Sequence, residues 1–154
     1  ANLRRETREF LERSDLIVAQ RFEPTEYDWR IGVLEGQPLF ACRYFMATDH
    51  WQVVKRDKNG LKKEGSHETI DVAEVPKHVL SVAVSAARAV GHSLYGVDLK
   101  QFGDVCKVIE VNDNPNIDVG VEDLVLGRQL YRRVAEYFLR KLEAQTRARE
   151  TGAR

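Results

Sequence analysis

From Tyr27 to Phe45 apolar and polar residues alternate, with one break at Glu35-Gly36, and side chains that switch faces in this way mark a β-hairpin. A two-residue turn at Glu35-Gly36 pairs Leu34 with Gln37, and counting outward predicts Asp28 opposite Arg43. On that register Asp28, Arg30 and Arg43 share a polar face, while Trp29, Ile31, Val33, Phe40 and Cys42 form the core face. Water on one side of an antiparallel sheet accounts for such a polar face as well as function does. Upstream, Leu3, Thr7, Phe10 and Leu11 recur at helical spacing, Ser14-Asp15 closes the segment, and Leu16-Ile17-Val18-Ala19 predicts a strand. His50 to Ile70 is charged and punctuated by Asn59-Gly60 and Gly65, so it reads as a loop or ragged hairpin.

The pattern Val79, Val82, Ala83, Ala86, Ala87, Val90 predicts a packed helix, opened at Pro76 and stopped by Gly91. Tyr95 to Lys100 and Val108 to Asn112 then predict a second hairpin. Placing Asp98 opposite Glu110 also sets Leu99 against Ile109 and Val97 against Val111, which makes the buried face wholly apolar. That register implies an odd-length turn, Gly103-Asp104-Val105, with Gly103 or Asp104 at positive φ. Leu126, Leu130, Val134, Phe138 and Leu142 mark a final long helix, whose apolar pattern ends near Gln145. The expected order is helix, three strands, helix, two strands, helix: an α+β fold with an antiparallel sheet and packed helices, spanning 1–145, with 146–154 as a frayed tail.

At 154 residues the chain is long enough for one core of its own, and it carries 24 basic and 24 acidic residues. The balanced charge provides no global attraction to nucleic acid or an anionic membrane, so neither is expected as a partner. Cys42 and Cys106 lie in apolar strand patterns without a CxxC or Cys/His companion, which predicts buried, reduced thiols. No apolar run approaches the roughly 20 residues of a membrane helix and no signal-peptide pattern opens the chain, so the expected location is cytoplasmic. The helical pattern begins directly after Ala1, which suggests a piece of something longer.

Asp98, Glu110 and Asn112 are hard oxygen ligands that the second hairpin places on one face. Mg²⁺ takes one or two carboxylates from protein and its remaining oxygens from water and substrate phosphates, and this donor set suits that demand. Calcium competes less well, because the ligands lie on strands and not in a flexible acidic loop. The alternative is that Asp98 and Glu110 are solvated strand residues and that Asn112 to Asn116 make Asx turns before Pro115.

Gly96-Val97-Asp98 with Glu110-Val111-Asn112 and Pro115, preceded by the Leu16 to Phe22 and Asp28 to Phe45 segments, resembles the C-terminal half of an ATP-grasp ligase. The nearest resemblance is to RimK-type glutamate ligases and bacterial glutathione synthetases. It implies that Asp98, Glu110 and Asn112 hold two Mg²⁺ ions, with Mn²⁺ as a substitute. Val18 to Phe22 resembles the hinge strand facing adenine, with Arg21 and Phe22 in the contacting positions; Asp28 resembles an acid near the ribose and phosphates. Arg43 resembles the catalytic arginine that approaches the phosphoryl group. The implied reaction is ATP-dependent joining of a carboxylate substrate to an amine acceptor through an acylphosphate, with glutamate addition to a peptide or protein as the finer expectation. Positioning and charge neutralisation would supply most of the catalysis.

The sequence departs from the family pattern in particular places. Gln52, in His50-Trp51-Gln52-Val53-Val54, stands where an arginine is expected, and Arg21 stands where the hinge often carries Glu. The N-terminal half of the ATP-grasp unit and the domain before it have no counterpart here, so the chain is expected not to turn over alone. Those departures also admit a rival reading, a non-catalytic nucleotide-binding or interaction module. His67, His78 and His92 lack a carboxylate at useful spacing and read as surface residues. Lys55, Arg56, Lys58, Lys62 and Lys63 suit either an acidic substrate or solvent.

Overall fold

The computed structural model describes residues 3–46, 54–56, 62–64 and 66–152. Strands β1 (Tyr27–Leu34) and β2 (Gln37–Phe45) form the first hairpin, and its turn has Glu35 at φ 52° and Gly36 at φ 72°. Positive φ at both central residues suits the turn to the twist of the strands it joins. Strands β3 (Val54–Arg56) and β4 (Lys62–Glu64) make a separate two-stranded sheet. Strand β5 (His67–Ile70) pairs with β2. The second hairpin is β6 (Leu94–Phe102) with β7 (Val105–Asn112), and it joins the first through antiparallel pairing of β6 with β1. The main sheet is thus five-stranded, in the order β5-β2-β1-β6-β7.

Helices cover both faces. On one, α2 (Lys77–Val90) buries Val79, Ala83 and Ala87 against Trp29, Ile31, Ala41, Val97 and Leu99, and its small side chains let the helix lie close to the strands. On the other, α3 (Arg128–Glu150) buries Leu130 and Tyr137 against Leu34, Phe40, Cys42 and Leu94. Tyr137 donates to the backbone carbonyl of His92 at 2.7 Å, and Arg140 reaches Glu35 at 2.6 Å, so α3 is anchored at the Glu35-Gly36 end of the sheet. The opposite end of that face carries polar side chains. This is the α+β sandwich read from the sequence.

Several expectations change. A β-bulge between Gly32 and Val33 sets Val33 against Pro38 but Gly32 against Phe40, which leaves Leu39 as the extra residue. Every β2 side chain beyond it therefore changes face. Asp28 lies opposite Tyr44, Arg43 lies opposite Trp29, and Phe40 and Cys42 belong to the α3 core and not to the Trp29 core. A second bulge sets Leu99 against Val108, so Ile109 is the extra residue of β7; it is exposed and does not enter the core. The turn consequently has two residues, Gly103-Asp104, with Gly103 at φ 60°.

Helix α1 (Leu3–Leu11) forms as expected but buries no side chain. Leu16 to Ala19 is not a strand: Leu16 and Val18 are exposed, and the segment has no ladder partner among the described residues, without which an apolar run gains little from extending. Helix α3 continues past Gln145 to Glu150, and it packs through Tyr137, leaving Phe138 and Leu142 exposed. Cys42 is buried, whereas Cys106 is only half-buried. His50, Trp51, Gln52, Val53, Lys58, Asn59, Gly60, Leu61 and Gly65 lie outside the described residues.

Candidate functional site

Adjacent strands bring acidic and basic side chains together on the α3 side of the sheet, beyond the end that α3 covers. Asp98 lies opposite Glu110 on β7, as the alternation predicts, and opposite Arg30 on β1. The Arg30 Nε and Nη2 each donate to one Asp98 oxygen at 2.8 Å, a bidentate pair in which both side chains are less than a third exposed. That pairing, more than any other cause, raises the Arg30 pKa above its ordinary value. One step along β1, Lys100 Nζ donates to Asp28 at 2.6 Å and to Thr25 at 2.7 Å, while Thr25 also donates to Asp28 at 2.9 Å.

Asn112 ends β7 opposite Gly96, and its Oδ1 accepts the backbone N–H of Asn114 at 2.9 Å. Pro115 then folds back over the sheet. A Cβ on Gly96 would stand 2.8 Å from the Pro115 Cβ, so glycine at this position is what lets the loop return directly over β6. Among the described residues no three His, Cys, Asp or Glu side chains converge. The oxygen donors at this place are therefore two carboxylates, Asp98 and Glu110, with the Asn112 amide nearby, a set that fits a magnesium ion drawing its other ligands from water and phosphate.

The loop between Asn112 and α3 is tied to the sheet. Glu122 is 1% exposed; its Oε1 accepts the Tyr44 hydroxyl and its Oε2 accepts the Asp118 N–H at 2.8 Å. Thr69 donates to the Val121 carbonyl at 2.5 Å. Burial, followed by the bond to Glu122, pushes the Tyr44 phenol well above its ordinary range, so it remains protonated and a donor.

A cleft of about 750 Å³ adjoins this face, lined by Gln20, Arg21, Phe22, Glu23, Asp28, Lys100, Phe102, Lys107, Val108 and Ile109. Its wall of Phe22, Phe102, Val108 and Ile109 is apolar, and Asp28 and Lys100 connect it to the charged face. The extended segment before β1 is held across the cleft by the ion pair of Glu23 with Lys107, which also lies over the Phe102 ring at 5.2 Å. Lys107 holds the Glu23 carboxyl below its ordinary pKa.

Of the residues singled out in the sequence, Asp98 and Glu110 come together, Asn112 ends the same strand, and Arg21, Phe22 and Asp28 line the adjoining cleft. Arg43 does not join them. It lies on the α2 face, its guanidinium 4.8 Å from the Trp29 ring and 4.9 Å from that of Tyr27, with Glu68 at 3.4 Å. The Leu39 bulge is the reason. The guanidinium on the acidic face is Arg30, which the alternation places there without assigning it a role. Lys100, Tyr44 and Glu122 were also missed. For Lys100 the signal was its two-residue spacing from Asp98; Glu122 has no local signal, since Tyr44 lies 78 residues away.

No family model matches the sequence, and no curated protein matches it. Among solved structures, the D-alanine–D-alanine ligase from Bacillus anthracis matches with a TM-score of 0.56 at 17% identity, over 80% of this chain and 43% of the ligase. The same ligase complexed with ATP matches with a TM-score of 0.57 at 16% identity, over 80% of this chain and 41% of the ligase. The chain shares its fold with these ligases. That shared fold is α+β, with an antiparallel sheet and packed helices, and the chain spans less than half the length of the ligase it matches. The ATP-grasp ligase PsnB complexed with a phosphomimetic variant of its minimal precursor, Mg and ADP matches over 60% of this chain and 26% of its own, with a TM-score of 0.43 at 26% identity.

Proposed function

We propose that this protein carries the nucleotide- and Mg²⁺-binding part of an ATP-dependent carboxylate–amine ligase. The observation that carries the reading is the continuity between the apolar cleft and the charged sheet face. A purine ring suits the wall of Phe22, Phe102, Val108 and Ile109. From there, Asp28 and Lys100 lead to Arg30, Asp98 and Glu110, where a polyphosphate would meet both cationic donors and oxygen donors for a metal. Asp98, Glu110 and Asn112 would hold Mg²⁺, two ions on the family resemblance and Mn²⁺ in its place; bound there, the metal supplies neutralisation of phosphate charge.

On this reading Arg30, and not Arg43, faces the phosphates. A guanidinium remains charged at all working pH and offers donors in a planar fork suited to phosphate and carboxylate oxygens. Asp98 fixes the guanidinium through Nε and Nη2 before any ligand arrives, so the donors not used in that pair are the ones that would meet a phosphate, with little reorganisation as charge develops on a transferring phosphoryl group. The carboxylate substrate would attack the γ-phosphate and the amine acceptor would displace phosphate from the acylphosphate. Glutamate joined to a peptide or protein is the finer form of the proposal, resting on the resemblance to RimK-type ligases.

A second reading, nucleotide binding without turnover, is favoured by the engagement of both Asp98 oxygens by Arg30. Calorimetric titration of ATP with Mg²⁺ tests what the two share, using wild type, Glu110→Gln and Asn112→Ala. Metal-dependent binding weakened by both substitutions supports the site; unchanged binding in either removes that residue from it. Phosphate release that requires both an acid and an amine separates the ligase from the binding module.

A further inference from the structure

Between the Asp98/Glu110 face and the loop that follows Asn112 runs a continuous chain of contacts. Glu122, buried at 1% exposure, accepts the Tyr44 hydroxyl on one oxygen and the Asp118 N–H on the other. The Tyr44 ring in turn lies under the Arg30 guanidinium, whose Cζ is 5.2 Å from the ring centroid. Arg30 commits its Nε and Nη2 to Asp98. Each of these groups comes from a different element: the loop, β2, β1 and β6.

A buried carboxylate is costly unless bonded, so a loop that needed only anchoring could be held by apolar contacts or by the Thr69 bond to Val121. What Glu122 adds is a fixed orientation for one phenol. What the phenol adds is a flat, electron-rich surface over which the planar cation lies. Arg30 is thereby held by two contacts, an acid at its fork and the face of the Tyr44 ring.

We propose that Tyr44 and Glu122 are positioning residues that hold Arg30 for phosphate recognition; the proposal rests on the nucleotide-binding reading above. Neither residue touches the ligand. Their effect reaches it only through the guanidinium, so it is confined to the phosphates and leaves binding of the base and ribose unchanged.

The test is calorimetry of the protein with two probes, ATP plus Mg²⁺ and adenosine, read as the ratio of their affinities. Arg30→Ala is expected to lower the affinity for ATP about 10-fold and to leave adenosine unchanged, the usual scale for a charged hydrogen bond. Tyr44→Leu and Glu122→Gln are expected to lower the same ratio roughly 3- to 10-fold, and Tyr44→Leu is expected to add nothing in the Arg30→Ala background. Tyr44→Phe keeps the packed ring and removes only the hydroxyl, so it decides the role of the Glu122 bond if Glu122→Gln fails to fold. A wild-type ratio in the folded Tyr44 and Glu122 variants, with Arg30→Ala still weakened, overturns the positioning role and leaves the nucleotide site standing. Absence of ATP binding in wild type, or a ratio unmoved by Arg30→Ala, overturns the underlying reading together with it.

Discussion

Arg30 and Asp98 are direct cross-strand partners on the central strands, and the arginine bonds both carboxylate oxygens at 2.8 Å. An exposed ion pair contributes about 0.2–1 kcal/mol, but these side chains are only 29% and 23% exposed and share two charge-assisted bonds. Removing one partner leaves the other charge partly desolvated. Asp98→Ala is therefore expected to destabilise the fold by about 1.5–3 kcal/mol, measured by urea unfolding. A loss below a few tenths of a kcal/mol would show that the pair behaves as a solvated surface contact.

Gly96→Ala tests the close approach of the loop. The added Cβ would meet the Pro115 Cβ at 2.8 Å, so the loop has to lift away from β6. Overpacking of this kind costs roughly 1–3 kcal/mol, and here it also displaces the segment that begins at Asn112. Thermal unfolding should report the loss, and metal-dependent nucleotide binding should weaken in the same variant.

Cys42 gives the fold a pH dependence on the alkaline side. Burial is the main cause that pushes its thiol from near 9 to about 11, with the Thr69 hydroxyl pulling the other way. Below the unfolded pKa the thiol is neutral in both states and costs nothing. Above it the unfolded chain releases a proton that the folded chain keeps, so stability falls as pH rises through about 9 to about 11, by up to about 1.4 kcal/mol per pH unit. Cys42→Ala should flatten that limb relative to wild type, while Cys106 and Tyr131, whose pKa values are also raised and do not depend on Cys42, act alike in both proteins. Parallel pH profiles for the two proteins would refute the assignment.

Much of this architecture was legible in the chain, and where it was not the reasons are physical. The pairing of Asp98 with Glu110 could be read because Val97 and Val111 had to share the core, which leaves one register. The faces of β2 could not be read, because Pro38-Leu39-Phe40-Ala41-Cys42 is continuously apolar and conceals the residue that bulges. Ile109 was misplaced for the same reason, between Val108 and Glu110 on an edge strand. Glu122 and Tyr44 meet only because the loop folds back over β2, a relationship with no local sequence signature.

The Leu39 bulge makes Arg43 the sharpest test of the two faces. It sits with Trp29 and Tyr27 on the α2 side, where its guanidinium lies over both rings and its Nη1 reaches Glu68, while its Nε is buried without a partner among the described residues. Lysine keeps the charge but loses the plane. Arg43→Lys is expected to destabilise the fold by about 0.5–2 kcal/mol, the range for a cation on aromatic faces, while the affinities for ATP and adenosine remain at wild-type values. Arg30→Lys is expected to do the reverse at the site, lowering the ATP affinity because an ammonium cannot reproduce the fork. If Arg43→Lys weakened ATP binding and Arg30→Lys did not, the phosphate-facing arginine would be Arg43, and the β2 register with its bulge would have to be different in the protein as it binds nucleotide.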